Sequence, residues 1–146
     1  MKKINSLYIA SSVLLFFAVS VLSSCGGKDS PSASEVNQGI LSSGTWKISN
    51  VTVDGVDQTS LFTGLTLQFT ASSYTTTNGD PVWPATGTWS FTDDTATSVK
   101  RSDGVIVGIS SISETGLVLT LDWTKTTLGT GRVKSVAGAH VFTFTK

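Results

Sequence analysis

Residues 117–124 of the chain read Leu-Val-Leu-Thr-Leu-Asp-Trp-Thr. Large apolar residues occupy every odd position of this stretch, and the even positions are mostly polar. The same alternation runs through residues 65–70 and 139–145, where Thr recurs on one face. A period of two with Thr on the outer face is typical of half-buried antiparallel strands, because the branched side chain suits a pleated surface that faces water. The pattern therefore predicts an all-β domain.

Turn-forming sequences separate the apolar runs at intervals of roughly ten residues. Between them the sequence predicts about eight strands, at 45–53, 64–70, 73–78, 86–92, 96–101, 105–112, 117–124 and 139–145, with residues 132–136 open as a ninth strand or an extension of the last. Regular spacing with short connections favours an antiparallel up-and-down meander that closes into an eight-stranded barrel. Such a barrel has no exposed edge strand, and its interior holds side chains or one small ligand. A two-sheet β-sandwich is the alternative, and the pattern alone does not separate the two.

The first 25 residues have the features of an export signal. Lys2 and Lys3 form a short positive segment, and an almost wholly apolar run follows at residues 7–22. This run has 16 residues, which is short for a membrane span of about 20. Small residues then precede Cys25, the single cysteine of the chain. These features favour a cleaved signal over the alternative, an uncleaved membrane anchor with an incidental cysteine.

The run Leu-Ser-Ser-Cys at residues 22–25 resembles the lipobox of bacterial lipoproteins. The resemblance implies that residues 1–24 are a cleaved signal peptide and that Cys25 carries acyl chains such as palmitate. Gly26 stands where an Asp is typical of inner-membrane retention, so we expect the outer membrane, on its periplasmic or its surface side. Residues 25–43 are rich in Gly and Ser, which predicts a flexible tether, with a short turn of helix around residues 35–41 as the alternative.

The remaining residues, 44–146, resemble the lipocalin-like domain of lipoproteins from Bacteroidota. The resemblance rests on Gly44-Thr45-Trp46 at the start of the first strand, on Arg132 shortly before the last strand, and on the ending of the chain. In lipocalins a late arginine packs over the tryptophan of the first strand at the closed end of the barrel. The resemblance therefore implies a lipocalin-like barrel in which Arg132 lies against Trp46, where a flat guanidinium stacks well on an indole.

Composition and motifs argue against several functions. The net charge is zero, with 10 Lys+Arg against 10 Asp+Glu. Because the sequence has no excess of basic residues, we expect no nucleic-acid partner. One cysteine and one histidine are too few for the usual metal sites, so we expect no metal and no cofactor. His140 is that histidine, and its place beside Phe142 predicts a partly buried, hydrogen-bonded side chain. No catalytic motif is visible, and we expect a protein that is not an enzyme.

The aromatic residues carry the functional prediction. Trp46, Trp89 and Trp123 share the phase of core positions, whereas Trp83 lies between two prolines in Pro-Val-Trp-Pro, where strand pairing is poor. Aromatic residues on loops are better recognition candidates than those on strands. We therefore expect Trp83, with Tyr74 from the neighbouring strand, to line the lip of an open barrel end that binds a small apolar or glycan ligand. The alternative is an accessory envelope lipoprotein that has a filled core and acts through protein contacts.

Overall fold

The computed structural model describes residues 30–125 and 136–146. These residues form one α-helix, one 3-10 helix and nine strands. The α-helix, α1, spans Ala33–Ser42, and the 3-10 helix spans Thr59–Phe62. The strands are β1 (Thr45–Val53), β2 (Val56–Asp57), β3 (Thr66–Phe69), β4 (Ser73–Thr77), β5 (Thr86–Phe91), β6 (Ser98–Arg101), β7 (Ile106–Ile112), β8 (Gly116–Trp123) and β9 (Gly138–Thr145).

The strands form a closed antiparallel barrel. From β3 to β9 each strand pairs with the next along the chain, and β1 pairs with both β3 and β9. Eight strands therefore complete the ring, while β2 folds back on the end of β1 as a short hairpin. This arrangement confirms the predicted eight-stranded up-and-down meander, which is consistent with a lipocalin-like barrel. It excludes the sandwich, because the strands form one continuous sheet.

The alternation in the sequence determines which side chains fill the barrel. In β8 all four odd positions from Leu117 to Trp123 are buried, and in β9 the buried positions are His140, Phe142 and Phe144. β8 and β9 run side by side, with Leu121 opposite His140 and Leu119 opposite Phe142. The hydroxyl-rich face of both strands points outward. In both strands one alternate set of side chains is buried inside the barrel and the other set faces outward. This fixes the strand register, because a shift of one residue would move the buried side chains to the outer face.

The predicted strands agree with the observed ones to within about two residues at each end. The Asp54-Gly55 pair turns the chain between β1 and β2, and both residues have positive φ, as the tight turns of β-hairpins require. After residue 44 two elements of the described chain differ from the prediction. β2 is only two residues long, and the 3-10 helix is a single turn whose Phe62 is fully buried.

Helix α1 lies where the sequence predicts a flexible tether. Ser32 caps the helix, since its hydroxyl accepts from the backbone N–H of Glu35, and the Glu35 carboxylate accepts from the backbone N–H of Ser32. This reciprocal pair satisfies two N–H groups that a helix start otherwise leaves free. The compact unit accordingly begins at Pro31 rather than at residue 44.

Helix α1 covers one end of the barrel. The side chain of Asn37 donates to the backbone carbonyl of Ala96 in the β5–β6 connection. The side chain of Gln38 donates to the backbone carbonyl of Ala71 in the β3–β4 connection. Leu41 is fully buried. We call this the helix end. The opposite end, which we call the loop end, carries the 3-10 helix, the 78–85 and 102–105 connections, the last residues of β8 and the first residues of β9.

Candidate ligand site at the loop end

Four elements place aromatic rings at the loop end. Phe62 comes from the 3-10 helix, Trp83 from the connection between β4 and β5, Trp123 from the end of β8, and His140 and Phe142 from β9. Phe142 lies among them. Its ring contacts Phe62 edge-on at 5.2 Å and Trp83 edge-on at 6.0 Å, and it stacks on the His140 imidazole at 5.4 Å between centroids. The result is an aromatic interior with few polar atoms.

The imidazole of His140 is buried and neutral. Its Nδ1 lies 2.9 Å from the carbonyl oxygen of Gly138. A carbonyl only accepts hydrogen bonds, so Nδ1 carries the proton and Nε2 presents a bare lone pair. Burial lowers the pKa of His140, although the bond to Gly138 and the carboxylates of Asp54 and Asp122 act in the opposite direction. Within the described residues Nε2 has no hydrogen-bond partner. The expectation of a buried, hydrogen-bonded histidine is thus met at one nitrogen only.

Two indole N–H groups at this end also lack partners among the described residues. Trp83 and Trp123 are both buried, and the Nε1 of each donates to nothing in that part of the chain. The other two tryptophans are satisfied: Trp46 donates to the Leu41 carbonyl at 3.0 Å, and Trp89 donates to backbone carbonyls of the β3–β4 connection. A buried donor without a partner costs about 1–3 kcal/mol, so such groups call for an explanation.

Arg101 closes the side of the loop end next to Trp83. Its guanidinium lies 4.8 Å from the centre of the Trp83 ring and 5.9 Å from that of Tyr74. Its Nη1 donates to the Val82 carbonyl at 2.9 Å, and its Nε donates to the Asp103 carboxylate at 3.1 Å. Burial raises the pKa of Asp103, but hydrogen bonds and the charge of Arg101 outweigh it and hold that pKa below its usual value. The arginine is therefore a paired charge inside the fold.

Trp83 and Tyr74 are buried core residues rather than exposed residues of an open lip, and their contact with a ligand stays a prediction. Each side chain is 1% exposed. The 78–85 connection crosses the barrel end and turns the indole inward, where it contacts Tyr74 edge-on at 5.8 Å. Tyr74 in turn lies over Gly87, and a Cβ at that position would be 2.5 Å from its hydroxyl oxygen. The flanking prolines identify the segment as a loop but do not determine which way the indole points.

Trp46 lies at the helix end, fully buried beside α1. The cation over its ring is Lys146, whose Nζ is 4.4 Å from the ring centre. Arg132, the predicted partner of Trp46, lies outside the described residues, so that pairing stays a prediction. Cys25 and the rest of the predicted signal peptide lie outside them too. The described part of the chain does contain a buried Arg–Trp pair, but it is formed by Arg101 and Trp83.

A groove of about 370 Å³ on the outer face of β7, β8 and β9 is a weaker candidate. It exists because Gly108 has no side chain between Ile106 and Thr120. The Ile106 and Val141 side chains on its rim are exposed. The groove opens widely to solvent. Among its described lining residues only His140 has a buried polar side-chain atom without a partner, and His140 is at a buried, inward-facing position of β9. The loop end is therefore the better candidate for a ligand site.

Residues 30–125 and 136–146 contain no group of three or more His, Cys, Asp or Glu side chains that could hold a metal ion. In the same residues no helix has the length and apolar character needed to cross a membrane. The chain matches no family model, no curated protein and no solved structure.

Proposed function

We propose that the chain is a lipoprotein of the outer membrane, anchored by acyl chains on Cys25, whose lipocalin-like barrel binds a small ligand without converting it. One observation carries the binding proposal. Three buried polar atoms without partners in the described residues, Nε2 of His140 and Nε1 of Trp83 and Trp123, belong to the same end of the barrel. Mostly apolar sites with a few polar groups are typical of ligand pockets.

The contrast between the two barrel ends supports this choice of site. At the helix end, α1 covers the barrel, and the indole N–H groups of Trp46 and Trp89 are bonded to backbone carbonyls. At the loop end the corresponding groups of Trp83 and Trp123 have no such partner in residues 30–125 and 136–146. A ligand that meets them would relieve the cost of leaving them unbonded, which favours binding at that end.

The environment of His140 supports binding rather than catalysis. General acid–base catalysis needs a side chain that exchanges protons near neutral pH, and in a catalytic triad a carboxylate orients the histidine. Here a backbone carbonyl holds Nδ1, and burial lowers the pKa of the ring. His140 is therefore suited to accept a hydrogen bond from a bound molecule.

Tryptophan fluorescence of the purified mature protein tests the binding proposal. The titrants are hexadecanol, palmitate, haem and an oligosaccharide. We expect at least one of them to shift the emission, because Trp83 and Trp123 lie at the proposed site. Mass spectrometry of the membrane fraction tests the anchor separately, and we expect an acylated N-terminal peptide that begins at Cys25. An unmodified protein that retains Met1 would contradict the anchor.

The second candidate is an accessory lipoprotein that acts through protein contacts. The packing of Arg101 against Trp83 and Tyr74 favours it, because three large side chains then fill one side of the loop end. This candidate predicts that none of the titrants changes the fluorescence, and that cross-linking in intact cells joins the barrel to another envelope protein.

A further inference from the structure

The unpartnered atoms at the loop end define the chemistry of the molecule they would bind. His140 offers one acceptor, the lone pair of Nε2, because Nδ1 already carries the proton that bonds to Gly138. Trp83 and Trp123 offer one donor each. A hydroxyl carries no charge and is the smallest organic group that both donates and accepts hydrogen bonds through a single oxygen atom.

We infer that the ligand of the loop end is an uncharged, mainly apolar alcohol or phenol whose hydroxyl donates to Nε2 of His140 and accepts from an indole N–H of Trp83 or Trp123. This inference rests on the proposed function and narrows it. The rings of Phe62 and Phe142 stand beside the imidazole and provide the apolar surface for the body of the ligand.

A carboxylate fits this set of atoms poorly. It has no hydrogen to give to Nε2, and its lone pairs would face the lone pair of the imidazole. The buried cation nearest to Trp83 is Arg101, and Arg101 is already engaged by Asp103 and by the carbonyl of Val82. The Nζ of Lys125 lies 5.2 Å from the centre of the Trp123 ring, but Lys125 is exposed. It would give a buried anion only a counter-charge screened by water, so transfer of the anion from water remains costly.

A glycan fits poorly for a different reason. A sugar brings several hydroxyl groups, each of which needs partners when it leaves water. The loop end offers three unpartnered polar side-chain atoms in the described residues, and the surrounding surface is aromatic. One hydroxyl on an apolar body matches that inventory. Of the two ligand classes, small apolar molecules and glycans, we therefore expect the apolar class.

Three probes of similar size test the inference: phenol, anisole and benzoate. Phenol donates and accepts, anisole only accepts, and benzoate is an anion. We expect phenol to bind about tenfold more tightly than anisole, which is the effect of one neutral hydrogen bond, and benzoate to bind most weakly. The assay is NMR of the mature protein with ¹⁵N-labelled Trp and His. Signals of Trp83, Trp123 and His140 should shift, whereas those of Trp46 and Trp89 serve as internal references.

Substitutions assign the effect to individual atoms. His140→Leu removes the acceptor, and we expect it to reduce phenol affinity to that of anisole. Trp123→Phe removes one donor and keeps an aromatic ring, so it should weaken phenol binding less than about tenfold. The matched control is Trp89→Phe, which removes an indole N–H that is already bonded at the helix end, and it should leave phenol affinity unchanged.

The outcomes separate this inference from the proposed function. If anisole or benzoate binds as tightly as phenol, the hydroxyl inference is overturned and the binding function stands. If phenol shifts only Trp46 and Trp89, the assigned site is overturned. If neither these probes nor the fluorescence titrants bind, both proposals fail. The comparison of probes on the unmodified protein decides the matter even if His140→Leu does not fold.

Discussion

Arg101 is a charged side chain that the fold has withdrawn from water. It is 2% exposed, and the aromatic faces of Trp83 and Tyr74, the carboxylate of Asp103 and the carbonyl of Val82 surround it. Each of these groups is attracted to a cation. Removing the arginine alone would leave the carboxylate unpaired and the carbonyl without its donor.

We expect Arg101→Met to lower the free energy of unfolding by about 1–3 kcal/mol, because the carbonyl of buried Val82 loses its donor. The carboxylate of Asp103 adds little to this cost, since Asp103 is exposed and regains water. Urea denaturation measures the change. Lys100→Met is the matched control, since Lys100 precedes Arg101 on β6 but its side chain is exposed, and it should change stability by less than about 0.5 kcal/mol. Equal effects of the two substitutions would show that the Arg101 contacts contribute nothing.

At the scale of single residues the sequence identifies residue types better than it identifies contacts. The pairing of Arg132 with Trp46 stays a prediction, because Arg132 lies outside the described residues, and the pair formed by Arg101 and Trp83 was not predicted. The sequence identifies Trp83 as a loop residue and misplaces its side chain. Which partner a side chain meets depends on how the strands align in three dimensions, and local sequence does not carry that information.

Helix α1 shows how contacts between elements decide a structure that local sequence leaves open. It has ten residues, one of them Gly39, and its single buried side chain is Leu41. An isolated helix of this length is marginal in water. The strands differ, because their alternation of apolar and polar residues already specifies a buried face. The sequence therefore predicts the barrel well and predicts a tether where the helix lies.

If α1 is an integral part of the domain, Leu41→Ala should destabilise it by about 2–5 kcal/mol, the usual cost of truncating a buried leucine. The measurement is the midpoint of thermal or urea unfolding. Val36 lies on the same helix and is exposed, so Val36→Ala serves as the control and should change stability by less than about 0.5 kcal/mol. If Leu41→Ala were equally silent, the helix would contribute nothing to the stability of the barrel.

At the scale of the whole molecule, stability near neutral pH depends on one proton. His140 is the chain's single histidine, and burial lowers its pKa in the folded state. The unfolded chain, with a histidine pKa of about 6.5, therefore takes up the proton first. Stability should be greatest above that pH and should fall as the pH decreases through about 6.5 toward the lowered folded value, by at most about 1.4 kcal/mol per pH unit.

Urea unfolding at pH values from about 7.5 to about 5.5 checks this dependence, because aspartate and glutamate side chains stay ionised over that interval. The control is His140→Leu, whose stability should not change with pH in the same interval. A wild-type protein whose stability is constant, or rises as the pH falls, would mean that His140 is not buried in its neutral form.

The pairing of β1 with β9 closes the barrel and has a consequence for the order of folding. Lys47 lies opposite Thr145, so two strands from nearly opposite ends of the domain must find each other before the ring is complete. Contacts this distant in sequence form slowly, because a long loop of chain must first be closed. Until β9 is in place, β1 and β8 each present an unpaired edge, and such edges invite pairing with other chains. The time between synthesis of β8 and docking of β9 is thus the interval in which this protein is most prone to aggregate.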